Sequence, residues 1–449
     1  MMRTTLVIGG LDPTGGAGIT ADARTLTAIG VHSMTVATAI VPQTLKEVRF
    51  VAPLDIDTID AQLEAAFETV RVNSCKVSVI YSRKTLRGIV RHIARARSQG
   101  RFPVVFDPVL RATVGADLAG DTLPSIRELL RICDVITPNV NEAMALSKAV
   151  GLKATRLDAV GAGLLKLLDG DGLRIVVITD GSKGTDHVYR SSNGQVERTV
   201  LKGRAIKGKV HGSGCMHSSV IAGLLAKGYE VNDACALAKS FVEDVLRKTI
   251  EGLVGRPARN ALPMILPPES RYDAAETVYD AAARLCELVP IEHLPEVGTN
   301  IAYSLPAPQG PEDVCALTSR IIRWEGRVRT FGRPAFGVES HMTRMALALA
   351  RRRFDLRSCC NLKYSPDMLK LIKRAKLGNI EIDRTGEPPG KTTMDWIIEN
   401  ITDRQTGEDI CIVYDTGMPG KEAMVRVLGR DPADVVAKVR RIFRETGRT

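Results

Sequence analysis

The sequence has few aromatic residues, no regular cysteine spacing and no long apolar run. Aromatic residues make up 4% of its 449 residues, and no compact basic tract is interleaved with them, which argues against a nucleic-acid-binding surface. The nine cysteines show no zinc-ligand spacing, and their odd number is typical of a chain in a reducing cytoplasm. No apolar stretch is long enough to span a bilayer, and no apolar signal segment follows Met1. We therefore expect a cytoplasmic protein with neither nucleic acid nor a membrane as partner.

Positive charge is what the chain has in excess. It carries 62 Lys and Arg against 51 Asp and Glu, a formal net charge of +11. The run of arginines at 351–353 closes a predicted helix, where cations complement the helix dipole. In the absence of a basic tract, the remaining surplus fits phosphorylated small-molecule substrates.

Two glycine-rich loops lie far apart in the sequence. Residues 10–18 follow an apolar strand-like run, and residues 211–215 precede the helix-like run 216–226. Backbone N–H groups and the positive end of the helix dipole make the second loop a candidate anion site. The Cys215 thiol lies in the first turn of that helix, where we expect its pKa to be lowered. The two loops together predict phosphoryl transfer.

Strand-like and helix-like runs alternate over the first 250 residues. The predicted strands are residues 4–8, 34–41, 76–80, 103–106, 134–136 and 174–179, followed by a hairpin over 186–201. The predicted helices include residues 19–28, 56–70, 83–97 and 141–149. This alternation predicts a largely parallel sheet with helices on both faces. Ligands of such sheets bind beyond the carboxyl ends of the strands, where the glycine loops fall.

The length of the chain favours two domains. A predicted helix over 232–249 closes the first domain, and a proline-rich segment without periodicity follows it. We therefore expect a first domain over 1–254, a linker over 255–271 and a second domain over 272–449, which opens with a helix over 272–288.

The first domain carries six short motifs in order. They are residues 12–18 (DPTGGAG), 21–22 (AD), 38–39 with 43–44 (TA, QT), 107–109 (DPV), 137–139 with 142–143 (TPN, EA) and 211–215 (HGSGC). With them, residues 3–252 resemble the bifunctional hydroxymethylpyrimidine/phosphomethylpyrimidine kinase of thiamine biosynthesis, which has the ribokinase-like fold. The resemblance implies a three-layer α/β/α domain that uses ATP and Mg²⁺ to phosphorylate hydroxymethylpyrimidine, and then its monophosphate, to the diphosphate.

The same resemblance implies which residues bind the pyrimidine. Asp22 and Gln43 match positions that hydrogen-bond the aminopyrimidine, although they could also be a solvated helix residue and a loop cap. Gly15, Gly16 and Gly18 would let the backbone approach the substrate closely.

The remaining matches concern phosphate, metal and proton transfer. Cys215 matches the base that takes the hydroxymethyl proton, with an inert buried thiol as the alternative. The resemblance assigns the nucleotide phosphates to Gly212, Ser213, Gly214, Thr179 and Lys183, and Mg²⁺ to Asn139, Glu142 and Asp107. Asn139 and Glu142 also fit a helix N-cap with a capping-box glutamate, and both interpretations can hold together.

Two positions depart from the family pattern. Val79 stands where a methionine usually packs on the pyrimidine. Residues 179–182 replace a Lys-Gly-Gly-His stretch, so a phosphate-binding lysine is either missing or supplied by Lys183. These departures bear on nucleotide preference and rate more than on the class of reaction.

The second half also carries matching stretches. They are residues 295–303 (PEVGTNIAY), 319–326 (SRIIRWEG), 336–342 (FGVESHM), 361–364 (NLKY) and 417–422 (GMPGKE). Through them, residues 270–449 resemble the archaeal-type thiamine-phosphate synthase domain. The resemblance implies a second α/β domain that couples hydroxymethylpyrimidine diphosphate with thiazole phosphate, giving thiamine phosphate and pyrophosphate.

Displacing pyrophosphate requires cations near the leaving group. We expect Arg320 and His341 to be the catalytic pair, with His341 at the start of a predicted helix over 338–353. Whether Arg320 lies on a helix or a strand stays open, and a solvated arginine and an N-terminal helix histidine are the alternatives. Lys363, Asp383 and Lys421 are the candidate substrate-binding residues, with a turn residue as the alternative for Asp383 and a solvated lysine in a strand-to-helix turn as the alternative for Lys421.

Three other functions remain open at this point. The first half could be a pyridoxal kinase or another vitamin kinase, against which Gln43 and the attached second half argue. The second half could instead sense thiamine phosphates or serve as a dimerisation module. We expect the chain to be a homodimer.

Overall fold

The structure is a computed structural model that describes residues 3–111, 116–168, 173–192, 195–203, 209–251, 259–261, 271–353, 355–383, 397–398, 410–417 and 422–444. The chain divides into two compact units, residues 1–268 and 269–449. Most of the predicted linker over 255–271 lies outside the described residues. No helix in the described ranges is long and apolar enough to cross a bilayer.

Unit one is built on a nine-stranded sheet with the order β3-β2-β1-β4-β5-β6-β7-β8-β9. Its strands are β1 (Thr4–Leu11), β2 (His32–Ile40), β3 (Ala52–Pro53), β4 (Ser74–Val77), β5 (Val104–Phe106), β6 (Val135–Ile136), β7 (Ile175–Asp180), β8 (Thr185–Ser192) and β9 (Gln195–Lys202). The strands from β2 through β1 and β4 to β7 are parallel, and β3, β8 and β9 pair antiparallel at the two edges. A separate two-stranded sheet joins β10 (Lys209–Val210) to β11 (Arg259–Ala261).

Eight helices connect the described strands of unit one. They are α1 (Gly18–Ala28), α2 (Ile56–Thr69), α3 (Arg83–Gln99), α4 (Ile126–Leu130), α5 (Val140–Ala149), α6 (Leu157–Leu165), α7 (Ser213–Ala226) and α8 (Val231–Glu251), with a 3₁₀ turn at Leu123–Ser125. The chain order runs one way from β1 to β2 and the other way from β4 to β7. Right-handed crossovers therefore place α1, with α7 and α8 packed beside it, on one face and α2 to α6 on the other.

The predicted three-layer α/β/α ribokinase-like architecture is confirmed for unit one. The predicted strands and helices fall within a few residues of the observed ones, because their apolar periodicity is regular. The reversal of strand order lies between β1 and β4, the point of an open α/β sheet where ligands bind.

Unit two has a seven-stranded sheet with the order β16-β13-β12-β17-β20-β19-β18. Its strands are β12 (Ile301–Ser304), β13 (Val314–Leu317), β16 (Pro334–Phe336), β17 (Ser358–Lys363), β18 (Gly378–Glu381), β19 (Ile410–Asp415) and β20 (Met424–Gly429). All neighbours pair antiparallel except β18 with β19. A separate hairpin joins β14 (Ile321–Trp324) to β15 (Arg327–Thr330).

Helices cover both faces of this second sheet. They are α9 (Arg271–Leu288), α10 (His341–Arg352), α11 (Pro366–Arg374) and α12 (Pro432–Phe443), with 3₁₀ turns at Ile291–His293 and Pro311–Asp313. Alternate residues of β12 enter different cores: Tyr303 packs with α9 and α12, and Ala302 packs with α10. The second α/β domain is thereby confirmed, and its largely antiparallel strand order goes beyond what the sequence indicated.

Candidate active sites

The two glycine loops of unit one are in direct contact. Gly212 adopts the left-handed conformation with φ of 77°, and a Cβ there would lie 1.9 Å from the carbonyl oxygen of Gly16. The neighbouring His211 Nε2 lies 3.0 Å from Asp12 Oδ2. Only glycine permits this approach, so the fold brings together two sequence-predicted segments almost 200 residues apart.

Asp12 shapes the first loop. Its buried carboxylate accepts hydrogen bonds from the backbone N–H of Thr14 at 2.8 Å and of Ala17 at 3.0 Å. Burial acts to raise the pKa of Asp12, but the hydrogen bonds from His211 and Thr14 outweigh it and lower the pKa. The ionised carboxylate thus fixes Gly15 and Gly16 against the second loop.

Helix α7 begins at this junction. Gly212 is its N-cap, and Ser213, Gly214 and Cys215 form its first turn, whose N–H groups have no partner within the helix. Gly214 is exposed, and open space surrounds the position of its missing Cβ. The turn therefore has backbone donors and the positive end of the helix dipole at a position where an anion could bind.

The expectation that the Cys215 pKa is lowered is wrong. Cys215 is buried, and burial raises its pKa to about 12. The ammonium of Lys76 acts to lower this pKa, but the carboxylates of Asp22 and Asp107 act in the other direction. Desolvation of the thiolate therefore outweighs the helix N-terminus at this position.

A buried charged cluster lies behind Cys215. Asp22, on α1, is fully buried, and its Oδ1 accepts hydrogen bonds from Lys76 Nζ at 2.5 Å and from Ser219 Oγ at 2.8 Å. Lys76 Nζ also donates to the carbonyl oxygen of Cys215 at 3.0 Å. Sequence reasoning missed Lys76, although a lysine inside an apolar strand pattern is itself a signal of a buried ion pair.

Asp107 extends this cluster beyond the end of β5. Its Oδ2 accepts a hydrogen bond from Ser218 Oγ at 2.9 Å and lies 3.7 Å from Lys76 Nζ.

Asn139 and Glu142 form a complete capping box at the start of α5, with hydrogen bonds of 3.0 Å and 2.9 Å. Burial, together with the charge of Asp107, raises the pKa of Glu142 to about 8. A cation near Glu142 would favour its ionised form.

The other predicted kinase residues occupy separate positions. Gln43 is half-buried in the loop after β2, bridged to Val48, and Val79 joins a small apolar cluster on the same side. Thr179 lies beside Asn139, because its N–H donates to the Pro138 carbonyl at 3.0 Å. The Lys183 side chain is exposed and pairs with Asp180 at 3.3 Å.

In unit two, Arg320 lies in the loop that precedes β14, which answers the question of its local structure. Its side chain is exposed, and its guanidinium donates a hydrogen bond to the carbonyl of Val297. Gly298 adopts φ of 79°, and a Cβ there would lie 3.0 Å from Arg320 Cβ. The segment 297–298 therefore supports Arg320 from one side.

His341 is the first residue of α10, directly after the N-cap Ser340, and it is exposed. Ser340 Oγ accepts from the Thr343 N–H at 3.0 Å, so the helix starts three residues later than predicted. The Nδ1 of His341 lies 3.3 Å from a guanidinium nitrogen of Arg344, one turn further along the same face of the helix.

A buried amide pair holds the segment next to Arg320. Asn361, on β17, donates to the Gly298 carbonyl at 2.9 Å and accepts from the Asn300 N–H at 2.8 Å. Lys363 is the last residue of the same strand, and Asp383 is exposed just after β18. Lys421 lies outside the described residues.

Unit one has two glycine loops that meet where the strand order reverses, a helix start that can accept an anion, and carboxylates at the ends of its strands. These are the features of a small-molecule kinase of the α/β class. A family model described as phosphomethylpyrimidine kinase matches residues 12–256, and one described as thiamine-phosphate synthase ThiN matches residues 277–441. The chain is 31% identical over 437 residues to the bifunctional thiamine biosynthesis protein ThiDN of Methanocaldococcus jannaschii, covering 97% of each chain.

Two solved structures are also similar. A phosphomethylpyrimidine kinase from Clostridium difficile 630 is 30% identical, covers 54% of this chain and 99% of its own, and gives a TM-score of 0.43. A C-terminal domain of a phosphomethylpyrimidine kinase is 30% identical, covers 38% of this chain and all of its own, and gives a TM-score of 0.37.

The chain belongs to the family of bifunctional thiamine biosynthesis proteins that join a phosphomethylpyrimidine kinase to a thiamine-phosphate synthase. It is an enzyme, with a kinase unit followed by a synthase unit. A sensing or dimerisation module without catalysis is not favoured for the second half.

Proposed function

We propose that unit one transfers phosphate from ATP to the hydroxymethyl group of hydroxymethylpyrimidine, and then to its monophosphate, at the junction of the two glycine loops. The contact of Gly212 with the Gly16 carbonyl carries this proposal, because it puts the anion-accepting turn of α7 beside the loop after β1. Positioning and electrostatic stabilisation supply most of the acceleration in phosphoryl transfer, and this junction offers both.

Asp22 and Gln43 bind the aminopyrimidine ring in this proposal. The buried Oδ2 of Asp22 accepts no hydrogen bond from the described part of the chain, so it can accept an N–H of the ring amino group. Gln43 reaches the ring from the loop after β2, and Gly15, Gly16 and Gly18, which lack side chains, let the backbone approach the substrate closely.

Cys215 takes the hydroxymethyl proton in this proposal. Burial makes the neutral thiol its resting form, so Cys215 must first release its own proton to solvent before it can accept one from the substrate. The ammonium of Lys76 favours the thiolate and therefore assists that step.

The N–H groups of Gly212, Ser213 and Gly214 bind the transferring phosphate, and Thr179 and Lys183 contact the nucleotide. Asp107, Asn139 and Glu142 would hold Mg²⁺, whose bound form neutralises charge on the phosphates. Within the described ranges, no three His, Cys, Asp or Glu side chains are grouped so that they could hold a metal ion. Mg²⁺ commonly uses one or two carboxylates together with water and substrate phosphates.

In unit two, we place pyrophosphate departure at Arg320 and His341. A guanidinium has five N–H donors, and one of those of Arg320 is committed to Val297. His341 presents a ring at a helix N-terminus, where an anion is favoured. Lys363, Asp383 and Lys421 contact the two substrates in this proposal.

A coupled assay tests both units. Purified protein receives ATP, Mg²⁺, hydroxymethylpyrimidine and thiazole phosphate, and chromatography follows thiamine phosphate. We expect Cys215→Ala to stop the diphosphate from forming, and Arg320→Ala to let the diphosphate accumulate without thiamine phosphate. Each unit's reaction is assayed alone as the control. Normal product formation in either variant would remove that residue from the proposal.

We also propose that the protein is cytoplasmic and that the boundary between its two domains lies inside the 255–271 linker. We propose further that it is a homodimer formed through unit two. The support is the exposure of large apolar side chains on two elements of that unit. Tyr272 and Tyr279 on α9 are 69% and 61% exposed, and Trp324 and Phe331 at the β14–β15 hairpin are 49% and 61% exposed. Light scattering should give twice the chain mass, and Trp324→Glu with Phe331→Glu should give monomer. A wild-type monomer at micromolar concentration contradicts this.

A further inference from the structure

Lys76 is a fully buried lysine on β4 whose ammonium has all its donors engaged. An ammonium carries three N–H groups, and this one makes three hydrogen bonds: to Asp22 Oδ1 at 2.5 Å, to the Cys215 carbonyl at 3.0 Å and to Ser219 Oγ at 3.1 Å. Asp107 Oδ2 lies 3.7 Å away and adds a second negative charge. The ammonium therefore has a single defined position between α1, α7 and β5.

The two carboxylate oxygens of Asp22 have different hydrogen-bonding environments. Oδ1 accepts from both Lys76 and Ser219, at 2.5 Å and 2.8 Å. Oδ2 is buried and accepts from no atom of the described residues. A buried acceptor without a donor is uncommon and unfavourable, and a ligand N–H would satisfy it.

The same ammonium contacts the turn that carries the anion site. Its bond to the Cys215 carbonyl fixes the backbone of the first turn of α7, whose N–H groups include those of Gly214 and Cys215. Ser218 Oγ also approaches that carbonyl, at 3.1 Å, and bonds Asp107. One side chain thus connects the free oxygen of Asp22 with the phosphate-facing turn.

We propose that Lys76 is a positioning residue of the kinase reaction. By holding Asp22 Oδ1, it reserves Oδ2 for an N–H donor of the aminopyrimidine. By holding the Cys215 carbonyl, it sets the distance between that acceptor and the phosphate-binding turn. The proposal rests on the proposed binding of the pyrimidine by Asp22.

A lysine can hold the buried Asp22 carboxylate in place, whereas a neutral hydrogen-bond donor cannot. Burial raises the pKa of Asp22, and the charge of Lys76 opposes that effect. A serine or glutamine could donate a hydrogen bond to Oδ1, but it would leave a buried carboxylate without a balancing charge. The competing explanation is that Lys76 balances charge for stability alone, and this predicts no selective effect on the pyrimidine.

A double-mutant cycle separates the two explanations. Wild type, Asp22→Asn, Lys76→Met and the double variant are compared for the dissociation constant of hydroxymethylpyrimidine, the KM for ATP and thermal unfolding. We expect each single variant to weaken pyrimidine binding about tenfold or more, the loss typical of a charge-assisted hydrogen bond. The KM for ATP should change much less than the dissociation constant of the pyrimidine, and the double variant should bind the pyrimidine no more weakly than the weaker-binding single variant.

Lys227→Met is the matched control. Lys227 Nζ donates to the Ile29 carbonyl at 3.0 Å, so it also links α7 to the end of α1, but at the opposite end of both helices. The same change of side chain there should lower the unfolding temperature and leave pyrimidine binding unchanged. If Lys76→Met fails to fold, the double variant, which lacks both charges, is compared with Asp22→Asn.

Three results would overturn part of this assignment. Normal pyrimidine binding by Asp22→Asn removes the proposed role of Asp22, and with it the basis for Lys76. Weak binding by Asp22→Asn but normal binding by folded Lys76→Met removes only the role of Lys76. Independent, multiplying effects of the two substitutions would show that Lys76 does not act through Asp22.

Discussion

Cys215 occupies the third position of α7, where free N–H groups favour a thiolate, and yet its surroundings favour the thiol. Burial raises its pKa, and the neighbouring Asp22 and Asp107 add to this rise, against the single cation Lys76. Position within a helix predicts the sign of only one contribution to the pKa. The net sign depends on what packs around the side chain, which a motif does not encode.

The reactivity of Cys215 tests this reasoning directly. Because burial raises its pKa to about 12, Cys215 has a much smaller thiolate fraction at neutral pH than an exposed cysteine. We expect iodoacetamide at about pH 8 to modify the half-buried Cys286 before Cys215, with Cys215 labelling accelerating as pH rises. Peptide mass spectrometry over a time course measures the order. Cys215 as the first cysteine modified would contradict the raised pKa.

The Asp12–His211 contact gives a second residue-scale prediction, with a defined pH dependence. Folding lowers the pKa of Asp12 from its ordinary value of 3.8. The ionised carboxylate therefore stabilises the fold above pH 3.8, and this contribution is lost as the pH falls through the lower folded-state pKa. Asp12→Asn should therefore destabilise unit one by about 1–3 kcal/mol at neutral pH. Urea unfolding followed by circular dichroism should show this difference shrinking below about pH 4. A constant difference across that range would mean that the carboxylate charge is not responsible.

At the scale of elements, the start of α7 depends on one backbone conformation. Gly212→Ala would place an L-residue at φ of 77° and a methyl group 1.9 Å from the Gly16 carbonyl. The left-handed conformation alone costs about 1–2 kcal/mol, and the clash would also force the two glycine loops apart. We expect loss of kinase activity, with synthase activity retained, in separate assays of the two reactions.

Gly228, just after the other end of α7, provides the control for this substitution. It has φ of 84°, and nothing lies within 4 Å of where its Cβ would be. Gly228→Ala should therefore reproduce the backbone strain without the clash, and keep its kinase activity. Equal losses in both variants would assign the effect to strain in the helix rather than to the meeting of the loops.

The elements of unit one could be predicted from local patterns, because its parallel strands are short apolar runs separated by amphipathic helices. Ser340 is a local signal too, and an N-cap interpretation would have moved the predicted start of α10 from 338 to 341. The Lys76–Asp22–Ser219 cluster could not be assembled in this way, since its members come from β4, α1 and α7. The strand order of unit two is likewise set by long-range pairing that no local period encodes.

For the whole molecule, the two units have separate hydrophobic cores. Among the described residues, one large core lies entirely within residues 1–268, and two others lie within residues 269–449. Each unit therefore contains what it needs to fold cooperatively, and a ligand of one need not stabilise the other.

Both tryptophans of the chain, Trp324 and Trp396, belong to unit two, which allows the units to be observed separately. Hydroxymethylpyrimidine at about a hundred times its dissociation constant should stabilise unit one by roughly 2.7 kcal/mol. We expect it to raise the kinase transition seen by far-UV circular dichroism while the tryptophan fluorescence transition stays in place. Thiazole phosphate, as the reciprocal ligand, should move the fluorescence transition. If hydroxymethylpyrimidine shifts both transitions equally, the two units unfold as one cooperative body, and the kinase and synthase steps are then coupled through the fold as well as through their shared intermediate.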